Sequence, residues 1–111
     1  MGNNKKHDWE DLRIGERRKV PGTVALQMPE GEKEWNITGH DVSPTALAII
    51  VPTEHSIIKQ IPTLLQTGQK IISDHDLFTN KPCVLHRIFR HRSNQLKWVL
   101  SFIRPLEQAN V

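Results

Sequence analysis

The sequence predicts an all-β fold, a small six-stranded antiparallel β-barrel with little helix, and three observations carry that prediction. Apolar and polar side chains alternate with a period of two in several short segments. Turn signals built on Gly, Pro, Asn and Ser separate those segments at spacings of roughly 8 to 12 residues. A helical period appears in one stretch only, and a proline interrupts it. The chain has 111 residues, enough for a single core. Residues 1–15 are polar and read as a flexible N-terminal arm, leaving 16–111 as the barrel domain.

Within the arm, "DWEDLRIGERR" has the makings of one or two helical turns with Asp8 as N-cap. Thr23 to Met28 is the first clear strand, with Val24, Leu26 and Met28 on one face. "PEGE" turns the chain, and Trp35 and Ile37 then alternate with Asn36 and Thr38, which makes a hairpin. Gly39 breaks the parity before Val42, the signature of a β-bulge. Ala46 to Val51 is apolar on both faces, as in a strand covered on both sides.

In residues 55–66 the apolar positions Ile57, Ile58, Ile61, Leu64 and Leu65 follow a helical stripe. Pro62 lies inside it, so a short or broken helix, or a restart at Pro62, is expected. Lys70 to Ser73, Cys83 to Arg90 and Leu96 to Ile103 complete the strands, the last two joined by "HRSNQ". The predicted core includes Leu26, Trp35, Ile49, Phe89, Trp98, Leu100 and Phe102.

Composition removes several classes of function. The longest apolar run, 46–51, is far short of the roughly 20 residues that span a bilayer, so no membrane insertion is expected. The N-terminus lacks the apolar stretch of a secretory signal. Cys83 is the single cysteine, which excludes an internal disulfide. Together these predict a cytoplasmic protein. Asn36-Ile37-Thr38 then matches a glycosylation sequon by chance. Asp74-His75-Asp76 reads as a solvated loop, and His86 and His91, five apart, are poor joint metal ligands. Cys83, at a strand start, reads as a buried neutral thiol. No catalytic constellation, metal set or cofactor motif is present, and no enzymatic activity is expected.

The formal charge is +3, and its distribution says more than its sum. Residues 77–106 contain no acidic side chain but do contain Lys81, Arg87, Arg90, Arg92, Lys97 and Arg104. A second basic group, Arg13, Arg17, Arg18 and Lys19, precedes the first clear strand. Such patches suit an anionic partner. Interleaved aromatics in "RIFRHR" and "LKWVL" suggest nucleic acid, but alternation points Phe89 and Trp98 inward and argues against it.

Two stretches describe a different ligand. Arginine's planar fork matches a phosphate or the O6/N7 edge of guanine. Asp41 and Ser43, beside the predicted bulge, offer an acceptor and a hydroxyl to the donor edge of guanine. Arginines and a carboxylate together suit a guanine nucleotide.

"ERRKVPGTVAL", "WNITGHDVSPTALAIIVP" and "LHRIFRHRSNQLKWVLSFI", within residues 16–104, resemble a PilZ domain. The resemblance implies a six-stranded barrel that binds the bacterial second messenger cyclic di-GMP through an RxxxR arm and a [D/N]xSxxG turn. Asp41-Val42-Ser43 matches the second motif, with Ala46 in place of its glycine. Arg13-Ile14-Gly15-Glu16-Arg17 spells the first. An alignment starting at Arg17-Arg18 instead meets Gly22 at the second arginine. Carried over, Arg17 and Arg18, with Arg13, would clamp phosphates and guanine edges, and Asp41 and Ser43 would hold a guanine. The implied role is a receptor or adaptor signalling to an unidentified downstream protein. The alternative is a degenerate barrel that binds no nucleotide and acts only through protein contacts.

Overall fold

The computed structural model describes residues 17–28, 33–67 and 70–106. The predicted turn 29–32, the arm 1–15 with Asp8 and Arg13, and residues 107–111 lie outside the described residues. Among the described residues there are seven strands: β1 (Arg18–Lys19), β2 (Thr23–Gln27), β3 (Glu34–Val42), β4 (Ala46–Pro52), β5 (Ile71–His75), β6 (Phe78–Arg92) and β7 (Gln95–Phe102). Six of them close an antiparallel ring in the order β3-β2-β5-β6-β7-β4, sealed by pairing of β4 back onto β3. β1 is an addition that pairs with the far half of β3. The expected barrel is therefore present.

Inward positions follow the alternation. Val24 and Leu26 from β2, Ile37 from β3, Ile49 from β4 and Trp98 and Leu100 from β7 are all essentially inaccessible. β4 is covered on both faces, since the outward Ala48 and Ile50 are also buried. The β2–β3 hairpin has the expected register, Val24 opposite Ile37 and Leu26 opposite Trp35.

Between β4 and β5 a 3-10 turn, Ser56–Gln60, runs into α1 (Ile61–Thr67), with Pro62 in its first turn where no intrahelical N–H is needed. His55 starts it by accepting the Ile57 N–H at Nδ1. The predicted stripe holds for Ile57 and Leu64, which are buried, but Leu65 is 53% exposed. A 3-10 segment turns every three residues, so its apolar face falls out of phase with the α-helix that follows.

β6 begins at Phe78, earlier than expected, because Asp76 and Leu77 alone turn the chain back from β5. Pro82 hid this: it sits within the strand, opposite Ile72, and lends its carbonyl to the Ile103 N–H. Asp74-His75-Asp76 is correspondingly less of a loop than expected. Asp74 and His75 end β5, and Asp74 accepts the N–H of Asn80, a residue in the left-handed region at φ 48°.

One core expectation is wrong. Phe89 is 40% exposed. The β6–β7 register slips between Leu85 and Arg87, inserting His86 as an extra residue. Because the side-chain period is two, that insertion reverses the positions from Arg87 to Arg90, until a second slip between Arg90 and Arg92 restores the parity. Ile88 now pairs with Trp98 and packs on the core, while Phe89 pairs with Lys97 on the outer face.

Cys83 is fully buried, and its thiol donates to the Ile71 carbonyl at 3.3 Å. Burial pushes the thiol from 9.0 up to about 12, opposed in part by its contact with Ser73. The native protein should resist maleimide at pH 8 and react only on unfolding. The raised value also makes stability fall as pH climbs above about 9, where the unfolded thiol ionises and the folded one does not. Alkylation of native protein at the rate of the unfolded chain would refute the burial.

Candidate functional site

The two stretches singled out in the sequence meet on the barrel wall. Pro21 lacks an N–H and Gly22 sits at φ +76°, so a strand that would otherwise run unbroken from Arg18 to Gln27 is kinked. Both halves stay on the same edge of β3. Val20 donates to the His40 carbonyl at 3.1 Å, and Gly39 donates to the Gly22 carbonyl at 2.9 Å. Lys19 thereby lies opposite Asp41, and Arg18 opposite Val42.

The anchor of this segment is Val20, 4% exposed, which fills the space where Gly39 has no side chain. A Cβ at Gly39 would come within 2.5 Å of Val20 Cγ1 and 3.1 Å of its carbonyl oxygen. Gly39→Ala should therefore displace Val20, at a cost of about 1–3 kcal/mol. Amide exchange at Val20 and Gly39 should accelerate more than exchange in β7. Equal acceleration throughout would mean that the alanine loosens the barrel and not the β1 attachment.

The bulge in β3 lies between Gly39 and Asp41, as the parity break predicted. Arg17 donates from Nη1 to Asp41 Oδ1 at 2.6 Å, and His40 Nε2 lies 3.7 Å from Asp41 Oδ2. Arg17 is 47% exposed at its side chain and Asp41 18%. Arg18 is half-buried, and its Nε has no hydrogen-bond partner. Lys19 is exposed.

Ser43 is placed differently from what a ligand contact would require. It is buried, and its Oγ accepts the N–H groups of Thr45 and Ala46 at 3.3 and 3.2 Å. The hydroxyl thus shapes the β3–β4 turn. Ala46, where the motif has glycine, opens β4 and is not among the residues with positive φ, so its methyl introduces no backbone strain there. Arg13 lies outside the described residues.

Beside the Arg17–Asp41 pair, a cleft of about 1130 Å³ runs between the Arg18–Gly22 segment and the β5–β6 turn. Arg18, Lys19, His40, His75 and Leu77 are among its lining residues. His75 braces the wall. Its Nδ1 accepts the Leu77 N–H at 3.1 Å, which places the ring proton on Nε2, 2.8 Å from the Pro21 carbonyl. On the other side of Pro21 a smaller hollow of about 590 Å³ is lined by Asp74, Asp76, Asn36 and Thr79. Pro21, Gly22, His75 and Asp76 line both, so the two hollows adjoin, with Arg18 and Lys19 facing the larger one and Asp74 the smaller.

The arrangement offers cations on a short, edge-attached segment and one carboxylate, Asp41, paired with Arg17 at its rim. Among the described residues, no group of three or more His, Cys, Asp and Glu side chains is placed to hold a metal. The sequence reading missed Lys19, His40 and His75 as neighbours of this site. Lys19 and His40 had a usable signal, since each adjoins a chosen residue, and in a bulge consecutive residues share one face. His75 had none, because its contact with Pro21 spans 54 positions. Comparison of the chain with family models, with curated proteins and with solved structures finds no match.

Proposed function

We propose that this protein is a cyclic di-GMP receptor, in which the Arg17–Arg18 segment holds the phosphates and guanine edges and Asp41 accepts from a guanine's donor edge. The observation that carries this reading is the 2.6 Å contact between Arg17 and Asp41, 24 positions apart in the chain. It brings the two halves of the sequence pattern to one place. A dianionic ligand with guanine bases needs both halves: arginine forks for phosphate and O6/N7, and a carboxylate for N–H donors.

Energetics allow the exchange. An exposed ion pair such as Arg17–Asp41 is worth about 0–1 kcal/mol. Each charge-assisted bond to the ligand is worth about 1.5–3 kcal/mol, so a ligand that engages both groups gains more than it breaks. The receptor works in the cytoplasm and without chemistry of its own. Ligand binding reorganises the basic segment, and the changed surface is read by a downstream protein.

A second reading, a barrel that binds no nucleotide and acts only through protein contacts, is favoured by Ser43. Its hydroxyl is engaged by Thr45 and Ala46 and is not presented to a ligand. Titration calorimetry with cyclic di-GMP separates the two. Saturable heat supports the receptor, and its absence leaves the protein-contact module.

A further inference from the structure

The register slip in β6 creates a surface that the alternation of the sequence conceals. Phe89 stands on the outer face with Arg87 Cζ 5.7 Å and Lys97 Nζ 5.9 Å from its ring centroid. Arg87 precedes it by two residues on the same strand, and Lys97 is its partner on β7. Arg90 pairs with the core-packed Leu96 and points the other way, and Arg92, past a second slip, is exposed beside the hairpin turn. The sequence 77–106, which contains all of β6 and β7, has no acidic residue. The anionic partner of this face therefore meets no carboxylate from either strand.

We infer that the β6–β7 face binds single-stranded nucleic acid, with a base stacked on Phe89 and the flanking phosphates held by Arg87 and Lys97. Two features fix the class of ligand, the exposed ring and the cations beside it. An exposed aromatic ring offers a sequence-tolerant stacking platform, and the Arg87 and Lys97 cations that lie over it reach a nucleotide's neighbouring phosphates when a base displaces them from the ring. The strand must be single, because a duplex keeps its base faces stacked and out of reach of a side chain on a barrel wall. An acidic peptide would draw the two cations off the ring and put nothing in their place on its face.

This inference does not rest on the cyclic di-GMP reading, although His91 of β6 meets His40 beside the candidate site, ring centroids 5.3 Å apart. Following the ladder from Asp41 to Ala48, Val99 and Arg87, three strand spacings separate the two, about 14 Å. The features that argued against nucleic acid in the sequence were the inward placement of Phe89 and Trp98 and the low aromatic content, 5% with no tyrosine. For Phe89 that placement does not hold.

The test is fluorescence anisotropy with a labelled dT12 strand and the full chain. Wild type should bind with Kd between about 1 and 100 µM at physiological salt. Phe89→Ala should weaken binding about 5- to 150-fold, and Phe89→Trp should retain it. Arg87→Ala and Lys97→Ala should each reduce the slope of log K against log salt by about 0.7. Arg17→Ala should leave oligonucleotide binding unchanged, which separates this site from the receptor site. All of these side chains are exposed or half-exposed, and circular dichroism melts check that the variants fold.

Three results would overturn the inference. The first is no binding up to about 200 µM protein. The second is a duplex or a polyglutamate peptide bound as tightly as dT12. The third is a Phe89→Leu variant with wild-type affinity, which would mark a merely apolar contact of the kind a protein partner makes.

Discussion

Replacing Trp98 with alanine is expected to lower the unfolding free energy by about 3–5 kcal/mol, the largest stability loss anticipated for a single side chain here. Trp98 is fully buried and heads the largest inaccessible side chains of the barrel. It pairs with Ile49 on one side and Ile88 on the other and lies in the core cluster, so the resulting cavity would be lined by core side chains held on paired strands that collapse into it only in part. Trp98→Phe should cost much less. The indole Nε1 is buried without an acceptor, and removing that donor recovers part of its desolvation cost, about 1–3 kcal/mol, against a smaller cavity. Phe89→Ala supplies the opposite control, since an exposed ring contributes little to the core. Urea unfolding followed by circular dichroism measures all three. A Trp98→Ala loss no larger than that of Phe89→Ala would contradict the register of β7 and, with it, the closure of the barrel.

That contrast between Trp98 and Phe89 shows which parts of the fold were legible in the sequence. Both are aromatic and both sit in alternating strands, and a rule of period two sends each inward. The rule holds in β7, which pairs without a slip along β4 from Ala46 to Pro52. It fails in β6, where His86 is inserted opposite a partner strand that has no extra residue. A bulge is a property of two strands at once, so one strand's pattern does not reveal it. The bulge in β3 was legible because Gly39 marks it, and glycine is required there by the approach of Val20. Leu65 failed for a related reason. Its position on the helix depends on where the 3-10 turn ends, and Pro62 constrains that boundary only loosely.

For the candidate site, local chemistry was legible and its use was not. Asp41 and Arg17 carry charges whose pairing across 24 positions needs only that β1 return to β3. Ser43 looked like a ligand contact because hydroxyls recognise nucleobases. The same hydroxyl recognises free N–H groups in a tight turn, and the turn lies closer. Gly22 looked like a missing arginine. At φ +76° it is the residue the kink requires, and a side chain there is strained by roughly 1–2 kcal/mol even though open space surrounds it.

These placements set how affinity for cyclic di-GMP should respond to substitution. The double change Arg17→Ala and Arg18→Ala removes two charge-assisted, partly bidentate interactions, each about 1.5–3 kcal/mol. Affinity should fall by roughly two to four decades at about 1.4 kcal/mol per decade. Asp41→Ala removes one charged acceptor and should cost one to two decades, about 1.5–3 kcal/mol. Ser43→Ala should act through the β3–β4 turn, lowering stability by about 0.5–1.5 kcal/mol with a smaller effect on binding. Arg13→Ala distinguishes the two arginine alignments, because a loss equal to that of Arg17→Ala makes Arg13 its partner in the clamp. Gly22→Arg is not expected to strengthen the site, since the strain at that φ offsets the added charge. Calorimetry on wild type and this series is the deciding measurement. No heat from wild type at millimolar cyclic di-GMP, or a double-arginine variant that binds as wild type does, would end the receptor reading and leave the barrel as a module for protein contacts.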